Sequence, residues 1–122
     1  MRIGSYDCGL CCYNSSMISD FNQVRCLVTG HTGFKGFWLS RMLFLLGANV
    51  SGIALKPELN SNYSRMSDNF FENSYYFDIR NQELVKETID NLRPDIIFHL
   101  AAQPLVRKSY REPISTFSTN VM

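Results

Sequence analysis

The sequence predicts an α/β fold built on a parallel sheet, and three observations point there. The run Val24 to Thr29 is short, apolar and β-branched, and it passes directly into Gly30, Gly33 and Gly36. An apolar helical segment begins at Phe34, inside that glycine series. Two later runs, Asn49 to Leu55 and Asp95 to Leu100, have the same strand-like composition and are separated by segments of helical character. Alternating strands and helices make parallel sheets, because right-handed crossovers bring each new strand back beside an earlier one.

Residues 1–22 show no clean periodicity and scatter Gly, Ser, Asn and Asp, so they read as a poorly ordered extension, with Met17 as an alternative start. The domain is expected over 23–122. In its first strand Val24, Cys26 and Val28 alternate with Arg25, Leu27 and Thr29, as in a buried strand of a parallel sheet. The three glycines then serve separate purposes. The first permits a tight turn out of the strand, the second lets backbone N–H groups approach a pyrophosphate, and the third lets the new helix lie close on the sheet. The helix N-terminus adds unpaired donors and the positive end of a dipole. No Lys-Ser or Lys-Thr pair closes the loop, since Lys35 precedes Gly36, so it is not a P-loop.

Phe34 to Leu46 reads as a helix with Phe34, Trp38, Met42 and Leu45 on one face and Phe37, Leu39, Leu43, Phe44 and Leu46 widening it, a surface broad enough to want cover from both the sheet and something else. Gly47 ends it, and Asn49 to Leu55 is the second strand. An acid at the end of that strand would grip the ribose of NAD, and a base would take the extra phosphate of NADP. Leu55 and Lys56 supply no acid; Lys56 reads equally as a phosphate partner and as a solvated loop residue. Tyr63 to Asn73 is a polar excursion or a short helix. Tyr75 to Ile79 is the third strand, with Asp78 near its end. Asn81 caps a helix with Leu84, Val85, Thr88, Ile89 and Leu92 on one face, and Pro94 stops it. Asp95 to Leu100 is the fourth strand. The order matches the N-terminal half of a Rossmann-like, doubly wound sheet.

The fourth strand runs into Ala101, Ala102, Gln103 and Pro104. Small residues at a sheet's carboxyl edge suit a close backbone approach to a ligand, and an ordinary turn reads the same way. His99 reads as a satisfied core histidine, and His31 either as a phosphate contact or as a turn residue. Arg107, Lys108 and Arg111 contact an anionic substrate or are simply solvated. Pro113 opens a last helix over Ile114 to Met122.

Composition excludes several classes. An apolar fraction of 45% with 19% charged residues is globular, not disordered. Twelve basic and eleven acidic side chains leave a net charge of +1, too little to gather nucleic acid or an anionic membrane. No apolar run reaches the roughly 18 residues of a membrane span, and the first residues lack a signal-like apolar core, so a cytoplasmic address is expected. Cys8, Cys11 and Cys12 include a C-x-x-C spacing. The rest of a metal site is missing, because Cys26 falls in a strand and His31 and His99 are the only histidines. No metal is expected.

The segments LVTGHTGFKG (Leu27 to Gly36), FDIR (Phe77 to Arg80), HLAAQPLVRKSYREP (His99 to Pro113) and TNVM (Thr119 to Met122) carry a more specific signal. Together they resemble the N-terminal part of nucleotide-sugar enzymes of the extended short-chain dehydrogenase/reductase family, and within it the 4,6-dehydratase branch. The resemblance implies that the backbone of Gly30, Gly33, Phe34 and Lys35 cradles the pyrophosphate, with Gly36 closing the motif. It implies Asp78 and Ile79 at the adenine, Leu100, Ala101, Ala102 and Gln103 along the path from ribose to nicotinamide, and Asn120 helping to place the cofactor. The implied cofactor is NAD.

The reaction implied is a lyase step that converts CDP-glucose to CDP-4-keto-6-deoxyglucose and water. The hydride leaves C4, water is lost across C5 and C6, and the hydride returns at C6. Oxidation comes first because a C4 ketone acidifies the C5 proton. The implied partners are a nucleotide sugar and further copies of the parent enzyme. The family's acid/base set includes a tyrosine followed four residues later by lysine, and no tyrosine of this sequence has that lysine. The chain therefore reads as part of a larger enzyme, inactive alone. The alternatives are another nucleotide-sugar epimerase or reductase, or a non-catalytic dinucleotide-binding module.

Overall fold

A computed structural model describes residues 21–65, 70–103 and 105–121. Its centre is a four-stranded, all-parallel sheet in the order β3-β2-β1-β4. Strand β1 is Arg25–Thr29, β2 is Asn49–Ala54, β3 is Asn73–Tyr76 and β4 is Ile96–His99. Chain order and sheet order differ in the way a doubly wound sheet requires. The strands step outward from β1 to β3, and then the chain crosses back to place β4 on the other side of β1.

Helix α1, Phe34–Leu45, connects β1 to β2, and α3, Gln82–Leu92, connects β3 to β4. A short α2, Asn62–Arg65, lies between β2 and β3. After β4 come α4, Val106–Arg111, and α5, Pro113–Asn120. The alternation read from the sequence is thus the observed architecture. The extension expected over 1–22 is described only at Phe21 and Asn22: Phe21 packs on the core and Asn22 sits against Gly47.

The core joins Cys26, Val28 and Val50 of the sheet to Leu43 of α1 and to Ala48. Its composition shows which part of the broad apolar surface of α1 faces the sheet. On the face of Phe34, Trp38, Met42 and Leu45, Phe34 and Leu45 are 71% and 70% exposed, and Trp38 and Met42 are exposed with them, whereas Phe37 and Leu43 from the widening set are buried. The buried face is Gly36, Phe37, Ser40 and Leu43. Periodicity could not choose between faces on a helix apolar nearly all round; contact at Gly36 chooses. A Cβ there would lie 2.1 Å from the Gly30 carbonyl oxygen, so this side of the helix is pressed on the turn below it.

Two corrections concern element limits. Strand β3 is Asn73–Tyr76, two residues upstream of its expected start, because those residues pair with Ser51–Ala54 of β2. Asp78 and Ile79 therefore stand beyond the strand. Residues 106–111, read only as a cationic segment, form α4 with Arg107, Lys108 and Arg111 exposed.

Helix α3 follows its local signals. The Asn81 side chain accepts from the Leu84 N–H at 3.2 Å, and Arg93 ends the helix in the left-handed region at φ 45°, just before Pro94. At the amino edge of the sheet, Asp95 receives three hydrogen bonds from Arg25, from its backbone N at 2.9 Å, Nε at 3.1 Å and an Nη at 2.8 Å. These hold the Asp95 carboxyl down to about 2. Among the described residues no helix is long and apolar enough to cross a membrane.

Candidate functional site

Strands β1 and β4 both end at the carboxyl edge, and the turn from β1 into α1 sits over that edge. Gly30 leaves β1 with φ +77°, a conformation that penalises a side chain. Space forbids one as well, since a Cβ would meet the Ala101 backbone N at 2.9 Å. The turn is fastened by Gly30 N–H to the Ile53 carbonyl at 2.7 Å and by Gly33 N–H to the Gly30 carbonyl at 3.0 Å.

Gly33 differs from its two neighbours in the motif. Its backbone is extended, and a Cβ would have only the Gly30 oxygen, 3.3 Å away, within 4 Å. Gly33, Phe34 and Lys35 are exposed, whereas Gly36 is buried beneath them. No side chain caps α1 and its first turn holds no acid. The result is an open helix N-terminus whose N–H groups and dipole favour an anion, on a glycine turn with no side-chain bulk. A diphosphate fits a cradle of this kind.

The exit of β4 is organised by a residue that sequence reasoning passed over. Thr29 Oγ1 accepts from the Leu100 N–H at 3.1 Å and the Ala101 N–H at 3.2 Å, and lies 2.8 Å from His99 Nδ1. The Leu100 N–H is shared with the Thr29 carbonyl at 3.1 Å, and with two N–H groups directed at the hydroxyl oxygen its proton is favoured on the His99 side. That arrangement would make His99 Nδ1 the acceptor and put the ring proton on Nε2. His99 is exposed and bonded through this threonine, not a core residue. The link is one of register, with Thr29 and His99 directly paired across β1 and β4, and no local sequence signal gives it.

Gln103 and Asn120, expected near the cofactor from different elements, are in contact. Asn120 Oδ1 accepts from the Gln103 backbone N–H at 2.7 Å, and its Nδ2 donates to the Gln103 carbonyl at 3.3 Å. The Gln103 side chain turns to Leu105, accepting its N–H at 2.8 Å and donating to its carbonyl at 3.1 Å. Thus α5 holds the segment after β4 through its backbone. Leu100 and Ala102 are exposed on that segment. Asp78 and half-buried Ile79 follow β3. The Asp78 carboxyl is held below its usual range, first by hydrogen bonds from the Arg80 side chain, with a contact of 2.6 Å. Arg80 also reaches Ser118 of α5 at 3.3 Å.

His31 is neither a phosphate contact nor an ordinary turn residue. It is fully buried, and burial pushes its pKa down to about 4 although the nearby Ile53 carbonyl opposes the shift. Lys56 is exposed just after β2, where Leu55 accepts the Thr32 hydroxyl at 3.1 Å. Among the described residues no group of three His, Cys, Asp or Glu could hold a metal ion; Cys8, Cys11, Cys12, Pro104 and Met122 lie outside them.

Comparison with known proteins agrees with this geometry. A family model described as GDP-mannose 4,6 dehydratase matches residues 27–122. The chain is 50% identical over 99 residues to a CDP-glucose 4,6-dehydratase of Salmonella typhimurium, covering 80% of this chain and 28% of that protein. It resembles a UDP-glucose 4-epimerase of Thermotoga maritima, solved with UDP-glucose, with a TM-score of 0.66 and 30% identity over 79% of this chain and 30% of that one. It also resembles Pal from Bacillus thuringiensis, with a TM-score of 0.69 and 28% identity over 79% of this chain and 31% of that one. The chain spans under a third of the length of each of these relatives. With a glycine corner, a parallel sheet in doubly wound order and a family match from within β1 onward, the chain belongs to the GDP-mannose 4,6 dehydratase family of nucleotide-sugar epimerases and dehydratases.

Proposed function

We propose that this chain is the dinucleotide-holding part of an NAD-dependent 4,6-dehydratase that converts CDP-glucose to CDP-4-keto-6-deoxyglucose and water. The observation that carries the proposal is the corner where an uncapped helix N-terminus opens over Gly33 while Gly30 and Gly36 bring turn, helix and Ala101 backbone into contact. The 50% identity to the Salmonella dehydratase favours CDP-glucose over other nucleotide sugars.

Bound NAD would supply an acceptor that takes a hydride from the sugar and returns it. The chain's own residues bind and orient. The free N–H groups at Phe34 and Lys35 face the diphosphate above the bare Cα of Gly33, Asp78 and Ile79 stand at the adenine side, and Leu100 to Gln103 line the way to the nicotinamide. Asn120 acts through Gln103, holding the backbone of that lining in place. Lys56 decides nothing between NAD and NADP, and the preference for NAD rests on the family resemblance. No tyrosine of the chain is followed four residues later by lysine, so the proton-transferring pair is assigned to the remainder of the parent enzyme.

The test is to incubate the full-length protein and NAD with CDP-glucose, and separately with dTDP-glucose and GDP-mannose, following the 4-keto product by absorbance. Conversion of CDP-glucose alone is expected, and none by the 122-residue chain. Epimerisation without loss of water, or preference for another nucleotide, would contradict the assignment.

A further inference from the structure

His31 follows the first glycine of the motif, yet its ring is fully buried and neither ring nitrogen has a hydrogen-bond partner among the described residues. It lies over β2 at Gly52, where a Cβ would come within 2.3 Å of the imidazole Cγ. Three rings surround it, with centroids 4.9 Å away for Phe71, 5.4 Å for Tyr63 and 5.9 Å for Tyr76. A protonated imidazole here would be a buried, unpaired charge, so the ring is held neutral.

The groups facing it are few. From α2 and β3 come the phenols of Tyr63 and Tyr76, bonded to each other at 2.8 Å. From β2 come the Gly52 backbone and the Ile53 carbonyl, and Phe71 is apolar. Among the described residues no carboxylate or cationic side chain acts on the ring.

This packing joins the two ends of the dinucleotide site. The loop is already tied to β2 through Gly30 to Ile53 and Thr32 to Leu55, and the ring partners Phe71 and Tyr76 belong to the segment that leads on to Asp78. We propose that His31 is a positioning residue for the dinucleotide: its neutral ring, wedged between Gly52 and the rings of Tyr63, Phe71 and Tyr76, fixes the Gly30–Gly33 turn against β2 and sets it relative to the β3 side of the site. This deepens the function proposed above and rests on it. Released from the box, the imidazole is an ordinary histidine that titrates near pH 6.5, whereas the boxed ring resists protonation down to about 4. Each pH unit lost between those values favours the released form by up to about tenfold.

Two measurements separate the clamp from the dinucleotide site. The first is hydrogen exchange at the Gly30 and Gly33 amides of the ligand-free chain at pH 7 and pH 5. Wild-type protection, corrected for intrinsic rates, should fall about tenfold or more between these values. His31→Phe keeps a flat ring without a proton site and should show no such fall; His31→Ala should be poorly protected at both. Equal pH dependence in wild type and His31→Phe overturns the clamp, as does full protection in His31→Ala. The second is calorimetric titration with NAD at pH 7, where His31→Phe should bind within about threefold of wild type and His31→Ala about tenfold or more weaker. Unchanged affinity in His31→Ala overturns the positioning role. A wild-type chain that binds no NAD yet shows the expected exchange pattern refutes the dinucleotide reading and leaves the clamp standing.

Discussion

Thr29 Oγ1 lies 2.8 Å from His99 Nδ1, and the same oxygen receives the N–H groups of Leu100 and Ala101. One hydroxyl thus joins the ends of β1 and β4 where the chain leaves the sheet for the proposed cofactor path. The same arrangement favours the ring proton of His99 on Nε2, an expectation that NMR can check.

Replacing Thr29 by valine keeps the shape and removes the hydroxyl. The Ala101 N–H then loses its partner, and the chain should lose about 1–3 kcal/mol of stability. Thr29→Ser should stay close to wild type. Urea unfolding measures the first effect, and nitrogen NMR of His99 should show the Nε2–H tautomer in wild type and Thr29→Ser only.

The outer glycines of the motif should fail differently from the middle one. A Cβ at Gly36 would strike the Gly30 carbonyl at 2.1 Å, between two pieces of backbone that cannot swing aside, so Gly36→Ala should destabilise the fold and abolish NAD binding together. Gly33 has ordinary backbone angles, and a Cβ there would press only on the Gly30 carbonyl oxygen at 3.3 Å, so Gly33→Ala should unfold within about 2 kcal/mol of wild type, far less than Gly36→Ala. Its added methyl occupies the diphosphate approach, and NAD affinity should fall about tenfold or more. Thermal melts beside calorimetric titrations separate the two outcomes.

Stability should fall in two acid steps. His31 titrates near 6.5 when unfolded and about 4 when folded, so the unfolded chain binds the extra proton between those values. Its contribution is complete above pH 6.5 and is lost as pH drops towards 4, on the order of 3 kcal/mol in all. Asp95 works lower. Its carboxyl is depressed from 3.8 to about 2, so its contribution is present above the unfolded value and disappears as pH falls through about 2. Asp78, held low by Arg80, adds to the same lower range. Melting temperature against pH should lose its first step in His31→Phe, and its second should shrink in Asp95→Asn.

Much of this architecture was legible because its signals are local. The strand at Arg25–Thr29, the glycine series, the Asn81 cap and the stop at Pro94 each lie within a few residues of what they determine. Which face of α1 lies inward was left open because apolar residues surround that helix, yet Gly36 held the clue. Once the third glycine must touch the turn, Ser40 and Leu43 follow at the spacing of one helix face. His31 had no local clue: its box is built from Gly52, Tyr63, Phe71 and Tyr76, brought together only by the β1-β2-β3 crossovers. Thr29 needed the β1 to β4 register, which the sequence does not print. Helix α4 was missed because its exposed cations and short length leave no apolar period to read.

The central claim is that the corner from Gly30 to Gly36 and the exit of β4 together receive a dinucleotide. It is tested most directly by titrating NAD into the isotope-labelled chain and following the backbone amides by NMR. Saturable shifts at Gly33, Phe34, Lys35 and Ala101, with smaller ones at Asp78 and markedly weaker ones in Gly33→Ala at the same NAD concentration, are predicted. Amides that stay unmoved at millimolar NAD, or that move only on α3 and α4, would contradict it.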